Sequence, residues 1–378
     1  MLMLSLYILY SLLTVISAFF IWRLMYAFDH FRIKNESSKT ISLDDLPTVS
    51  VCLPARNEQH AMAQCLELIL ASTYPKLEII VLDDSSADNT SVLIKSFAHE
   101  GVRFIEGADL TDNWLGKNRA LQSLLEEASG DYILYMDVDT HVKPQTIDRL
   151  VAYLSQENVS MVSVLPMRED GFRSSVLFGT LRYFWTIILH RKSLPAVASS
   201  AWMINRHILR DKLGGIERYK NSIQPELSIA SRLMHHNQYR FVIGTSSIGV
   251  SYEKKWSSQI DTSVRLMFPT LRHSIWLYLG IVGLLILNTP ILAVIAGFIE
   301  GWTLIQTMAI WQLCVFGAIY GLYLSKVWGK GGWMGIVLWP IIIAQELIVI
   351  MMSIDQYSRK VVTWKGRPVT SFYHEQVK

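Results

Sequence analysis

Two apolar stretches bracket this chain and limit what it can fold into. Residues 3–28 are almost entirely apolar, with Arg23 inside the C-terminal part and Asp29 just beyond. Residues 275–353 are mostly apolar as well. In hydrocarbon every backbone N–H and C=O must be satisfied by the protein itself, so such stretches cross a bilayer only as helices or closed barrels. Runs of about 20 apolar residues suit helices. The 51% hydrophobic content and the mean hydropathy of +0.27 are high for a wholly soluble chain of 378 residues, and the excess lies at the two ends. A cleaved leader is the alternative for residues 3–28. It is disfavoured because no basic residue precedes the run and the run is too long.

Arg32, Lys34 and Lys39 follow the first run, and the positive-inside rule puts the next segment in the cytoplasm. One division of the second stretch gives spans near 275–298, 303–324 and 333–353, unless Asn288-Thr289-Pro290 forms a turn. Four spans would leave both termini outside, yet Arg359, Lys360, Lys365 and Arg367 belong in the cytoplasm by the same rule. A re-entrant segment bearing Pro340, Gln345 and Glu346 would reconcile the two. The expected organisation is a span over 1–28, a linker over 29–47 and a catalytic domain over 48–256. An amphipathic interfacial segment over 257–274, spans over 275–353 and a basic tail over 354–378 complete it. Within the domain, residues 171–192 mix Phe172, Phe178, Phe184 and Trp185 with Arg173, Arg182 and Arg191, which suits a helix lying on a membrane surface or an ordinary core helix.

Between the apolar ends the pattern changes to short strands alternating with helical periodicity. Val49 to Pro54, Glu78 to Leu82, Val102 to Ile105, Tyr132 to Met136 and Val159 to Leu165 read as strands. Residues 58–72, 88–98 and 117–128 read as helices, with Asp88 placed to cap the second. Such alternation predicts a parallel sheet covered by helices on both faces. The net charge of +3 gives no nucleic-acid footprint. Cys52, Cys65 and Cys314 have no disulfide or metal-ligand spacing, which fits a reducing compartment.

The chemistry-bearing residues fall at the strand ends. Asp137 and Asp139 follow the apolar run Tyr132–Met136, and residues at i and i+2 share one side of an extended chain. At the carboxyl end of a central strand they would sit in the crevice where open α/β sheets bind ligands. Carboxylates suit a hard divalent cation, Mg2+ or Mn2+, that shares its other positions with phosphate oxygens. Neither common glycine-rich phosphate loop is present, which argues against an NAD enzyme or a P-loop NTPase.

Four motifs together carry a resemblance: Pro54-Ala55-Arg56-Asn57-Glu58, Asp83-Asp84-Ser85-Ser86, Trp114-Leu115-Gly116-Lys117 and Asp137-Val138-Asp139. Their order resembles the family 2 glycosyltransferases, whose catalytic domain is a Rossmann-like, GT-A type α/β fold that binds nucleotide sugars. Ser199 to Arg206, Leu213-Gly214-Gly215, Val264-Arg265, Leu271-Arg272-His273-Ser274 and Trp364-Lys365-Gly366-Arg367 are similar to hopene-associated and ceramide glucosyltransferase-like members.

The resemblance implies that Ala55, Asn57 and Glu58 contact the nucleotide and that Asp83 or Asp84 accepts from the base. It implies that Lys117 lies near the diphosphate or base, and that Asp137 and Asp139 hold the ribose and a divalent metal. The general base of the family aligns with Glu226, in Gln224-Pro225-Glu226-Leu227, where Pro225 replaces a first acid. Glu226 reads equally as a carboxylate stabilising a helix N-terminus. An acceptor that is already ionised would need no base. The processive Gln-x-x-Arg-Trp motif is absent; Lys255 is its nearest echo, and Arg265 is the other cation suited to the departing diphosphate.

The implied function is inverting transfer of a sugar from a nucleotide-diphosphate donor, UDP-linked, to a membrane lipid at the cytoplasmic face. Hopanoid, carotenoid, sphingolipid-like, diacylglycerol and polyprenyl phosphate acceptors all fit. The alternatives are a polysaccharide synthase and a nucleotide-sugar-binding membrane protein that has lost its base.

Overall fold

The computed structural model describes residues 2–33, 45–110, 114–168, 175, 178–270, 274–287, 290–328 and 332–369. Lys34, Lys39, Phe172, Arg173, Leu271, Arg272 and His273, on which the sequence reading draws, lie outside the described residues. The chain divides into a helical unit, Met1–His30, Asp170–Ile188 and Lys254–Val361, and an α/β unit, Phe31–Glu169, Leu189–Glu253 and Val362–Lys378.

The helical unit holds α1 (Leu2–His30), α6 (Arg182–Ile188), α8 (Trp256–Thr270), α9 (Ile275–Leu287), α10 (Ile291–Glu300), α11 (Thr303–Val327) and α12 (Met334–Ser358). Among the described residues, three helices are long and apolar enough to cross a membrane: Leu4–His30, Thr303–Val327 and Met334–Ser358. The span expected over 275–298 is instead two shorter helices, with Pro290 at the start of the second, where its missing N–H costs nothing. The re-entrant segment expected around Pro340 is one continuous helix of 25 residues.

The polar residues that suggested re-entry bind protein instead. The Glu346 carboxylate accepts from the Leu181 N–H at 3.2 Å. Gln345 donates to the Phe178 carbonyl at 3.0 Å and accepts from the Trp256 indole N–H at 2.9 Å. In the expected amphipathic stretch 171–192, Phe184, Trp185 and Ile187 are buried, with Phe184 edge-on to Tyr323 and Trp185 edge-on to Phe20.

The α/β unit is built on a 9-stranded sheet. Its strands are β1 (Val49–Ala55), β2 (Leu77–Asp83), β3 (Val102–Glu106), β4 (Tyr132–Met136), β5 (Thr140–Val142), β6 (Met161–Arg168), β7 (Ala201–Asn205), β8 (Tyr239–Gly244) and β9 (Val250–Tyr252). They run in the order β3-β2-β1-β4-β7-β6-β9-β5, with β8 paired to β6. The sheet is mostly parallel: β1 pairs in parallel with β2 and β4, and β2 with β3, while β7 is antiparallel to β4 and β6. Strands β1 and β4 are near-continuous apolar runs because both of their faces are covered.

The covering helices bury residues at helical spacing. Helix α2 (Met62–Leu70) buries Met62, Cys65, Leu66 and Ile69; α4 (Gly116–Glu127) buries Leu121, Leu124 and Leu125; α5 (Thr146–Glu157) buries Ile147, Leu150, Val151 and Leu154. Helices α3 (Thr90–Ser96) and α7 (Pro225–His235) complete the layers. The N-cap of α3 is Asn89 and not the expected Asp88, although the Asp88 carboxylate, one residue earlier, accepts from the Thr90 N–H at 3.0 Å and satisfies a first-turn donor.

The chain runs β1 to β2 to β3 in one direction and then places β4 on the other side of β1. The strand order therefore reverses between β1 and β4, and ligands of open α/β sheets bind at such a point, outside the carboxyl ends of the strands. Register puts Ala55 beside Asp83 and Asp83 beside Glu106, so the loops after these strands emerge along one edge.

Candidate active site

The loop after β1 is locked to the loop after β2 by hydrogen bonds that need their particular residues. Asn57 is left-handed, at φ 52°, a conformation that Asn tolerates better than most L-residues. Its N–H donates to the Ser86 hydroxyl at 2.9 Å, and its side-chain oxygen accepts from the Ala87 N–H at 2.8 Å. The Glu58 N–H donates to the Thr90 hydroxyl at 2.8 Å. Asn57 therefore spends its backbone donor and its side-chain acceptor on loop structure, and of the expected contacts Ala55, Asn57 and Glu58 only Glu58 turns a charge toward the crevice.

The two aspartates after β2 differ. Asp83 accepts through Oδ1 from the Ser86 N–H at 3.3 Å and from the Ser86 hydroxyl, which closes the turn. The Asp84 N–H donates to the Ala55 carbonyl at 2.8 Å, and its two carboxylate oxygens accept from Arg367 Nη1 at 2.8 and 2.7 Å. Burial raises the Asp84 carboxyl above its ordinary value, and the Arg367 guanidinium opposes that rise. Arg56 donates through Nη1 to the Asp84 and Ser85 carbonyls.

Gly107 backs this turn from β3. Its N–H donates to the Asp83 carbonyl at 2.9 Å, and a Cβ at Gly107 would lie 2.9 Å from that oxygen and 3.1 Å from the Asp84 Cα. These are backbone atoms and cannot swing away. Gly107→Ala is expected to lower stability by about 1–3 kcal/mol. Thermal melting of the purified protein would measure it.

Strand β4 ends at Met136, and Asp137 to Thr140 form a turn in which the Thr140 N–H donates to the Asp137 carbonyl at 3.0 Å. The segment that carries the two carboxylates is thus a turn, which corrects the expected extended chain. Val138 between them is buried in the sheet core and leaves Asp137 and Asp139 half-exposed on the other side. The Asp137 N–H donates to the Ser200 carbonyl at 2.9 Å, so the segment before β7 fixes the turn. Lys117, in the first turn of α4, donates to Asp137 Oδ1 at 2.7 Å.

Glu58 belongs to the same group. Burial raises its carboxyl above the ordinary value, the Lys365 ammonium opposes this, and Asp139 and then Asp137 raise it further. The loops after β1 and β4 therefore place Glu58 within electrostatic reach of Asp137 and Asp139, where strand order reverses.

Glu226 lies in the first turn of α7, behind Pro225, and is buried at 3% exposure. Its approach is tied to α4: Asn118 donates to the Tyr219, Lys220 and Ser222 carbonyls at 3.0, 2.9 and 2.7 Å. The segment entering α7 is thereby anchored beside Lys117. Arg265 lies on α8 of the helical unit, where its carbonyl accepts from the Tyr357 hydroxyl at 2.8 Å. Arg56, Lys365 and Arg367 were not expected in the site. Arg56 stood inside a matching motif, and the tail motif carried no role.

A mostly parallel sheet with nucleotide-type loops at its switch point and an acidic pair on the next strand defines a GT-A-like glycosyltransferase fold. Residues 50–211 match the family model described as "Glycosyl transferase family 2", so that segment is similar to the domain of this family. A mannosyltransferase from Pyrobaculum calidifontis, solved with GDP-Man and Mn2+, aligns over 93% of this chain and 98% of its own at a TM-score of 0.53 and 18% identity.

Among curated proteins, an undecaprenyl-phosphate 4-deoxy-4-formamido-L-arabinose transferase of Pectobacterium carotovorum is 28% identical over 182 residues, 47% of this chain and 54% of that protein. Glycosyltransferase AglE of Haloferax volcanii is 30% identical over 121 residues, 31% of this chain and 38% of its own. The chain spans about half the length, or less, of these relatives.

Proposed function

We propose that this protein is an inverting glycosyltransferase that moves a sugar from a UDP-linked donor to a membrane lipid at the cytoplasmic face. The observation that supports the reading is the Lys117–Asp137 ion pair at 2.7 Å, with Glu58 in electrostatic reach of Asp137 and Asp139, at the switch point of a domain that matches family 2. Three helices long enough to cross a bilayer support a lipid acceptor, as does a relative named for transfer to undecaprenyl phosphate.

The donor's base lies against the loops after β1 and β2, with Asp84 accepting from a base N–H, since a carboxylate is acceptor-only. Asp137 and Asp139 face the ribose and diphosphate. Among the described residues no group of three or more His, Cys, Asp or Glu is arranged to chelate a metal unaided. A site of one or two carboxylates suits a hard ion whose remaining positions are filled by substrate phosphates and water, so the donor set fits Mg2+ or Mn2+ bound together with the nucleotide. Such an ion supplies charge neutralisation to the departing diphosphate. Lys117 adds a point charge nearby. Glu226 takes the proton of an acceptor hydroxyl as that oxygen attacks the anomeric carbon on the face opposite the leaving diphosphate, which inverts the centre.

Washed membranes holding the full chain, given UDP-sugars labelled in the sugar, are expected to move label into solvent-extractable lipid. EDTA should stop the transfer, and Mn2+ or Mg2+ should restore it. Label that stays water-soluble with every UDP-sugar offered would remove this reading.

A further inference from the structure

The tail folds back onto the α/β unit as a hairpin. Strands β10 (Thr363–Trp364) and β11 (Arg367–Pro368) pair antiparallel, and the two residues between them, Lys365 and Gly366, both have positive φ, 46° and 82°. Tight hairpin turns of this kind favour Asn-Gly or Asp-Gly, and a lysine in the left-handed region costs free energy that its surroundings must offset. The surroundings here are the donor loops. Lys365 Nζ donates to the Arg56 carbonyl at 2.6 Å and to the Glu58 carboxylate, and the Lys365 carbonyl accepts from Arg56 Nε at 3.3 Å. Arg367 donates to both oxygens of Asp84.

Charge points the same way. Glu58, Asp83, Asp84, Asp137 and Asp139 line the strand ends, against Arg56 and Lys117 from the same domain. An anionic donor would meet a net acidic wall. Lys365 and Arg367 bring the cations close to balance. Arg367 is 19% exposed on its side chain and Asp84 is 7% exposed, so the pair is held out of bulk water, and Nη1 of Arg367 is shared between both carboxylate oxygens of Asp84.

We propose that the hairpin β10–β11 is a wall of the nucleotide pocket, and that Arg367 is a positioning residue that aims the Asp84 carboxylate at the donor's base. This rests on the donor reading above. Lys365 holds the Arg56–Glu58 loop in the same way. Because Arg367 acts through the base-reading carboxylate, its loss weakens a nucleoside monophosphate as much as a diphosphate.

Gly116 offers a probe that alters no charge. A Cβ at that position would lie 2.8 Å from Arg367 Nη1 and 3.3 Å from Asp84 Oδ2. The guanidinium is the end of a flexible side chain, so Gly116→Ala displaces Arg367 without disturbing the fold.

Calorimetry on the full chain in nanodiscs tests this with UDP and UMP as probes. Arg367→Ala is expected to raise the Kd of both by the same factor, about tenfold, which corresponds to about 1.4 kcal/mol. Arg367→Lys should recover part of the loss, and Gly116→Ala should reproduce it. Unchanged affinity in Arg367→Ala and Gly116→Ala would overturn the proposal. So would tighter binding by Arg367→Ala, which would make the hairpin a plug, or a loss confined to UDP. A wild-type chain that binds neither probe would overturn the donor reading itself, a different result from any of these.

Discussion

Asp139→Ala should abolish sugar transfer by washed membranes, with a fall of at least about 10³-fold, or about 4 kcal/mol of transition-state stabilisation. The expectation follows from where the charge is needed. The departing diphosphate gains negative charge as the glycosidic bond breaks; a carboxylate alone would repel that charge, and Asp139 would act by holding the divalent ion that offsets it. Asp139 sits in a turn whose backbone is fixed by the Asp137–Thr140 hydrogen bond and by Ser200. Its replacement therefore removes a carboxylate without moving the strand. The variant should melt at the wild-type temperature. Quantifying extractable labelled lipid checks the prediction; turnover equal to wild type would defeat the role given to the acidic pair.

Glu226→Gln is expected to lower kcat by about 10²–10⁴-fold while leaving the donor KM near its wild-type value. Glutamine keeps the shape of the side chain in its buried place at the start of α7, so the fold is retained. What disappears is the ability to accept a proton. The loss belongs to the chemical step, because the base acts on the acceptor and not on the nucleotide. The same variant reads out the acceptor. A hydroxyl must lose its proton during attack, whereas a phosphate such as that of a polyprenyl phosphate is already ionised. Unchanged kcat in Glu226→Gln would therefore assign an ionised acceptor and leave Glu226 as a carboxylate at a helix N-terminus.

Much of the donor side was legible from local pattern. The strands β1, β2 and β4 are short apolar runs, and the acids stand directly after them, so their placement along one sheet edge follows once the sheet is parallel. The Asp88 interaction with α3 and the helical spacing of α2, α4 and α5 were legible for the same reason. The turn at Asp137 was not, because an apolar run followed by acids does not mark where the strand stops; the Thr140 N–H bond to the Asp137 carbonyl sets that point. Pro340, Gln345 and Glu346 suggested a broken segment, yet α12 is continuous because both polar side chains find partners in residues 178–181 and 256.

The apolar ends, the alternation of strand and helix, and the acids at the strand ends are all legible in the residue order, since each is written within a few residues as a period or a terminus. That the tail packs on the loops after β1 and β2 emerges from the folded chain alone. Arg367 and Asp84 stand 283 positions apart, and Lys365 and Glu58 stand 307 apart. No local period encodes such a pairing. It arises because desolvated carboxylates at a sheet edge need cations, and the folded chain brings the hairpin to them.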